Sequence, residues 1–188
     1  MTIEVLEHSA SEYAPRTRHN AHNADLTVAF AVDFSTSGER LTRKAAGQRY
    51  CAIDLALPGL DAARLLYVAA RRHQAKTINV AGNGIYTLAQ HGWSQERVNS
   101  HLVDVLELVH HHWGIERIIS GGQTSVDIAG IVAACHLGID ATATLPRGFI
   151  QRGADRRDST HSAEQIAAQV RSWSAQISCR RSQRETLR

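Results

Sequence analysis

The chain has 188 residues, 43% hydrophobic and 21% charged, which is the size of one ordinary domain and the balance of a globular protein, and excludes a disordered one. Its three cysteines, Cys51, Cys135 and Cys179, are too few and too widely spaced for a disulfide framework or a Cys-rich zinc site, and they point to a reducing compartment. The formal charge of +3 sits at the end: residues 180–188 hold four arginines and one glutamate, while residues 1–179 hold 17 basic and 17 acidic residues.

No apolar run approaches the roughly 20 residues that span a bilayer. Residues 1–24 are polar, carry Glu4, Glu7 and Glu12, and lack the apolar core of a signal peptide. The expected location is therefore the cytoplasm, with no membrane partner. Residues 1–25 show no clear period and are expected to form a flexible arm. Residues 26–178 are expected to form a single domain, and 179–188 a basic tail. Such a tail is one way to touch nucleic acid, but a solvated, frayed terminus is the favoured reading, and a nucleic-acid partner is not expected.

From Leu26 onward, apolar runs alternate with segments of helical period. Residues 27–33 (TVAFAVD) read as a buried strand, followed by a short helix to about Ala46. Residues 49–57 (RYCAIDLAL) read as a second strand, ended by Pro58 and Gly59. Ala62, Leu65, Leu66, Ala69 and Ala70 have helical spacing. Residues 77–81 (TINVA) form a third strand. Ser94 suits an N-cap, and Val98, Leu102, Leu106, Val109 and Trp113 then make one helical stripe. Residues 115–119 are a fourth strand, 124–137 a helix ended by Gly138, and 139–145 a fifth strand ended by Pro146. Ala163, Ile166, Ala167, Val170, Trp173 and Ile177 mark the last helix. Strands alternating with helices imply an α/β fold: a Rossmann-like parallel sheet of about five strands, joined by right-handed crossovers, with helices on both faces.

Ligands of open α/β sheets sit beyond the carboxyl ends of the strands, where four loops fall: 33–39, 82–86, 120–127 and 146–153. The strongest signal is Ser120-Gly121-Gly122-Gln123-Thr124-Ser125-Val126-Asp127. An apolar strand runs into two glycines and a helix starts at once. That pattern lets the backbone approach an anion and aims the first N–H groups of the helix at it, with Gln123, Thr124 and Ser125 adding side-chain donors. Thr124-x-x-Asp127 is also a capping-box pattern, compatible with the same geometry. The second loop, Gly82-Asn83-Gly84-Ile85-Tyr86, lacks the third glycine of a dinucleotide fingerprint. No acid ends the following strand, which argues against the usual NAD site. It is expected to form a second wall, with Asn83 and Tyr86 facing a base or sugar. Ser35, Thr36 and Ser37 are secondary contacts in the first loop, where Thr36-x-x-Glu39 is again a capping pattern and Asp33 ends a strand. In the fourth loop, Arg147, Gly148 and Arg152 are expected at a phosphate, which suits arginine's planar fork. His110-His111-His112 point about 100° apart along a helix and do not converge on one metal ion.

SGGQTSVD resembles the SGGQTGVD signature of the molybdenum-cofactor carrier proteins, members of the Rossmann-like SLOG superfamily, which also holds the LOG cytokinin-activating enzymes and DprA-like proteins. The resemblance continues through Ala129-Gly130, Leu137-Gly138-Ile139 and Pro146-Arg147-Gly148, and covers roughly 30 residues. Ser125 stands where the family has glycine, and here about four α/β units precede the motif. The resemblance implies a phosphate-binding loop, and it aligns Arg147 with the family's basic residue.

Together these features favour a protein that binds a nucleotide or nucleotide-derived signal through a phosphate loop. No cofactor is implied beyond a bound nucleotide. A nucleotide-cleaving hydrolase acting on an N-glycosidic bond is the alternative, for which Asp33, Glu39 and Asp127 are the candidate catalytic carboxylates. The resemblance adds a third reading, a molybdenum-cofactor carrier. A homodimer or higher homo-oligomer is expected, through the helix over 94–113, with Val105 and Leu108 beside its core stripe.

Overall fold

The structure, a computed structural model, describes residues 1–186, with side chains described through residue 183. In chain order the elements are β1 (Ile3–Glu7), α1 (Tyr13–His22), β2 (Leu26–Ala31), α2 (Ser37–Ala46), β3 (Tyr50–Asp54), α3 (Gly59–His73), β4 (Thr77–Gly82), α4 (Ile85–Gln90), α5 (Gln95–Trp113), β5 (Arg117–Ser120), α6 (Val126–Leu137), β6 (Asp140–Leu145), β7 (Gln151–Arg152), β8 (Asp158–Ser159) and α7 (Ala163–Thr186).

Strands β1 to β6 form one parallel sheet in the order β1-β6-β5-β4-β2-β3. The five strands legible in the sequence run β3-β2-β4-β5-β6, a doubly wound order whose direction reverses between β2 and β4. Right-handed crossovers put helices on both faces: α1 packs on α2, and α3, α5, α6 and α7 pack in a row. Every residue of β2 is buried, because a central parallel strand is covered on both sides. Gly130 of α6 lies against Val80: a Cβ there would come within 2.8 Å of the Val80 side chain, so the small residues of α6 let it settle close to the sheet.

The two ends of the chain differ from expectation. Residues 1–25 are not an arm. Ile3–Glu7 pair in parallel with Asp140–Leu145 of β6, Val5 lying opposite Ala143, and the following helix carries the chain back to β2. At the other end, α7 continues through the expected tail. Arg180 pairs with Glu96, and Arg181 with Asp104 and with Glu107 at 2.8 Å, so acids on α5 neutralise these two arginines. Leu187 and Arg188 of the expected tail lie outside the described residues.

Within α5, Val105 is fully buried and so is not available to an interface. Leu108 is 38% exposed and lines a groove of about 330 Å³ with Leu60, Ala63 and Tyr67 of α3. No described helix is long and apolar enough to cross a membrane.

Candidate functional site

The sheet reverses direction between β2 and β4, so the helices that follow these strands leave on opposite faces and a crevice opens at their carboxyl ends. Its roof is α1. Tyr13, Arg16, Thr17 and Asn20 recur at helical spacing on α1 and all four line the crevice. This is a helix whose inward stripe is polar. Pro15 fits its first turn, where no backbone N–H is needed.

Arg16 is 5% exposed. Its Nη1 donates to the Gly121 carbonyl and lies 3.6 Å from Asp127 Oδ2. Burial holds the guanidinium below its usual pKa, while the Asp127 charge opposes that shift. Gly121 is required by this contact. A Cβ there would fall 2.1 Å from Arg16 Nη1 and 2.2 Å from Asp127 Oδ2.

Asp127 sits in the first turn of α6, close to the backbone of Gln123 and Gly82. Burial raises its pKa to about 6, against the pull of Arg16 and of those backbone groups. Glu39, at 3% exposure, lies near enough to feel the Asp127 charge. Burial first and Asp127 second raise Glu39 to about 7, while a hydrogen bond with Tyr50 opposes them. Tyr50 in turn is pushed up to about 12 by burial and by Glu39. Four buried polar atoms here have no hydrogen-bond partner: Tyr13 Oη, Arg16 Nε, Asn20 Oδ1 and Glu39 Oε2.

The crevice has two lobes that share Tyr13, Arg16, Gly38, Gly82 and Asp127 as walls. The inner lobe, about 180 Å³, reaches between α1, α2 and β4 to Asn20, Thr42 and Asn79. The outer lobe, about 300 Å³, is closed by Gly84, Tyr86, Gln123, Thr124, Arg152 and Gly153.

No protein-family model, curated protein or solved structure matches the chain. The site therefore rests on its own geometry.

That geometry brings together Gly82, Gly84, Tyr86, Gln123, Thr124 and Arg152, all expected from the sequence, on the outer lobe, and Gly121 on the inner one. Several of them act through backbone or position, because their side chains are engaged. Gln123 Nε2 donates to the Ile150 carbonyl, its Oε1 accepts from Arg152 N–H, and the Thr124 hydroxyl donates to the Arg152 carbonyl. Thr124 does not cap α6: its hydroxyl is turned to the β7–β8 hairpin, and Ser125 is the N-cap residue. Gly122 is buried below the lobes, where Gln151 Nε2 donates to its carbonyl at 2.7 Å. Arg152 forks onto Asp158 at 2.7 and 2.9 Å and lies 5.4 Å from the Tyr13 ring centroid. Arg156 covers the Tyr86 ring at 3.7 Å.

Other expected residues lie elsewhere. Asn83 is a brace, with no face left for a base or sugar. Its Oδ1 accepts from Val32 and Asp33 N–H at 2.9 and 3.0 Å, and its Nδ2 donates to the Asp33 carbonyl at 2.9 Å. Beyond the end of β2 those amides have no strand partner, and Asn83 supplies one. Arg147 is exposed and lines neither lobe, and Gly148 N–H is turned to Glu7. The basic groups at the crevice are instead the buried Arg16 and, on the outer lobe, Arg152. Asp33 closes a turn through Ser35, whose N–H and hydroxyl donate to it at 2.7 and 2.6 Å. Thr36 caps α2 by accepting from Glu39 N–H at 3.2 Å, and Ser37 starts that helix; Ser35, Thr36 and Ser37 line neither lobe.

Ser125 is buried beneath the loop. The Gln95 side chain holds its backbone at both ends, accepting from its N–H and donating to its carbonyl at 2.9 Å. Its φ is +93° with ψ −126°, and its hydroxyl has no partner.

Sequence reasoning missed Arg16, Tyr13, Asn20 and Gln95. For the first three a signal existed: Tyr13, Arg16, Thr17 and Asn20 fall at i, i+3, i+4 and i+7, a helical period written in polar residues. No local pattern pointed to Gln95.

Proposed function

We propose that the protein binds a nucleotide or a nucleotide-derived signalling molecule. Its phosphate sits in the outer lobe, against the loop before α6 and between the guanidinium groups of Arg16 and Arg152. The observation that carries this reading is Arg16. A guanidinium 5% exposed lines the crevice at the carboxyl ends of the strands where the sheet reverses, beside a glycine that leaves room for it. Burying a guanidinium is costly, and a phosphate at the crevice offsets that cost through charge-assisted interaction with it. The start of α6 adds the favourable end of a helix dipole.

Calorimetry with a panel of nucleoside mono-, di- and triphosphates, cyclic nucleotides and inorganic pyrophosphate tests the reading. Binding is expected for at least one nucleotide. Arg16→Gln and the surface variant Arg152→Ala should each weaken it by about tenfold or more, the scale of one lost hydrogen bond to a charged group. No binding anywhere in the panel at millimolar concentration would refute it.

A second reading, hydrolysis of the bound nucleotide, draws support from Glu39 and Asp127. Burial raises them to about 7 and about 6, the range in which a carboxyl group serves as acid or base at neutral pH. Chromatography of nucleotides incubated with the protein separates the two readings. Conversion beyond one equivalent, lost by roughly 10²-fold or more in Glu39→Gln or Asp127→Asn, would favour catalysis. Intact ligand recovered after denaturation would favour binding.

A further inference from the structure

We infer that the outer face of α3 is the contact between two copies of this chain, the two α3 helices lying antiparallel across a two-fold axis. The inference does not depend on the nucleotide reading, because no residue of α3 lines either lobe of the crevice.

A helix that covers a sheet needs one apolar stripe. In α3 that stripe is Ala62, Ala63, Leu66 and Ala70, all buried. The helix is apolar on the outside as well. Leu60, Leu65 and Val68 are 53%, 47% and 63% exposed, and no other described element exposes as many large apolar side chains. Leu60 belongs to the groove towards α5, with Ala63, Arg64 and Tyr67. Leu65 and Val68 do not line that groove; they lie about a third of a turn round the helix from it. Asp61 and Arg72 continue their line at either end, and all four side chains are exposed.

Asp61, Leu65, Val68 and Arg72 fall at i, i+4, i+7 and i+11, the spacing of a coiled-coil seam. The seam complements its own reverse. With the two-fold axis midway between Leu66 and Tyr67, Leu65 meets Val68 of the second copy and Asp61 meets Arg72. Each contact then occurs twice, as an isologous interface requires. A parallel pairing would set Asp61 on Asp61 and Arg72 on Arg72. A foreign partner does not require a stripe that matches its own reverse, whereas a second copy does, and this selects the occupant. The charged ends are free to serve. Asp61 pairs with Arg64 at 3.1 Å, but both are exposed, so that pair holds it weakly. Arg71 is drawn aside, 5.7 Å from the Tyr67 ring centroid, which leaves Arg72 as the cation on the seam. The interface thus falls on α3 and not on α5, where Val105 is buried and Leu108 lines the groove.

Sedimentation equilibrium of the full chain over about 1–100 µM reads its mass against the 20.6 kDa monomer. A concentration-dependent dimer is expected. Val68→Asp, at an exposed position and shown folded by its melting curve, should raise the dimer Kd by about a hundredfold or more, because it buries an unpaired charge at the centre of the seam. Leu108→Asp should leave Kd within about twofold. Asp61→Arg and Arg72→Asp should each weaken the dimer about fivefold or more, since symmetry brings like charges together twice. The double variant, with the charges exchanged, should recover the parent Kd to within about twofold. A monomer throughout the range, or a dimer that survives Val68→Asp, would overturn the interface. Weakening in both single reversals without recovery in the double variant would overturn the antiparallel pairing.

Discussion

Ser125→Gly should stabilise the protein. Ser125 has φ +93° and ψ −126°, a region that glycine enters freely and a Cβ opposes. Holding a non-glycine residue in such a conformation costs about 1–3 kcal/mol. Its hydroxyl is fully buried and unpartnered, which adds about 1–3 kcal/mol of unrecovered desolvation. Against these stands the extra freedom of glycine in the unfolded chain, about 0.5–1 kcal/mol. Setting the strain against that entropy, and taking only part of the desolvation, gives a net gain of about 1–3 kcal/mol. For a chain of this size that is roughly 2–4 °C in Tm per kcal/mol. Scanning calorimetry should therefore show a rise of about 3–10 °C. Ser125→Ala separates the causes: it removes the hydroxyl and keeps the Cβ, and should recover only the desolvation part. A Ser125→Gly variant no more stable than the parent would refute the claim that the loop before α6 is strained at this residue.

Stability should fall as pH rises through neutrality. Glu39 and Asp127 have folded-state pKa values of about 7 and about 6, above their ordinary ranges. Each contributes stability that is complete below its unfolded pKa and is lost as pH rises through the folded value. Urea unfolding should show a decline between about pH 4.5 and 8, on the order of 3 kcal/mol of it from Glu39, and smaller by that share in Glu39→Gln, where Asp127 still contributes; a flat profile in the parent would count against burial of the acids. Gly82→Ala should cost about 3 kcal/mol or more, because a Cβ there falls 2.0 Å from the Phe30 carbonyl oxygen; near-native denaturant midpoints would show that the β2–β4 contact yields. Gly84→Ala, with a φ of −67° and open space around it, should change stability by less than about 0.5 kcal/mol in the same assay. Arg181→Ala should lose no more than about 1 kcal/mol, since its partners Asp104 and Glu107 are themselves solvent-exposed.

The sequence by itself determined the central sheet. Apolar runs such as Leu26–Ala31 must be covered on both faces, and the helical stripe from Val98 to Trp113 needs a sheet to cover. Ser94 does cap α5, accepting from Arg97 N–H at 3.2 Å, because that signal is local. The glycines at 82 and 121–122 were legible for the same reason: a strand that runs into glycine and then into a helix describes its own turn. Periodicity written in apolar residues did not disclose β1 and α1. An edge strand buries only Ile3 and Val5 in part, and a helix that faces a polar crevice shows a polar stripe where a core helix shows leucine. Tertiary structure alone decided which groups meet. Arg16 reaches Gly121 across 105 residues, Asn83 braces the end of β2 across 51, and Gln95 clasps Ser125 across 30. Such contacts satisfy backbone and charged groups that the chain leaves exposed where strands diverge, and they depend on strand order, which no local pattern encodes. Only the packing of α1 over the strand ends put the buried Arg16, and not the exposed Arg147, at the crevice.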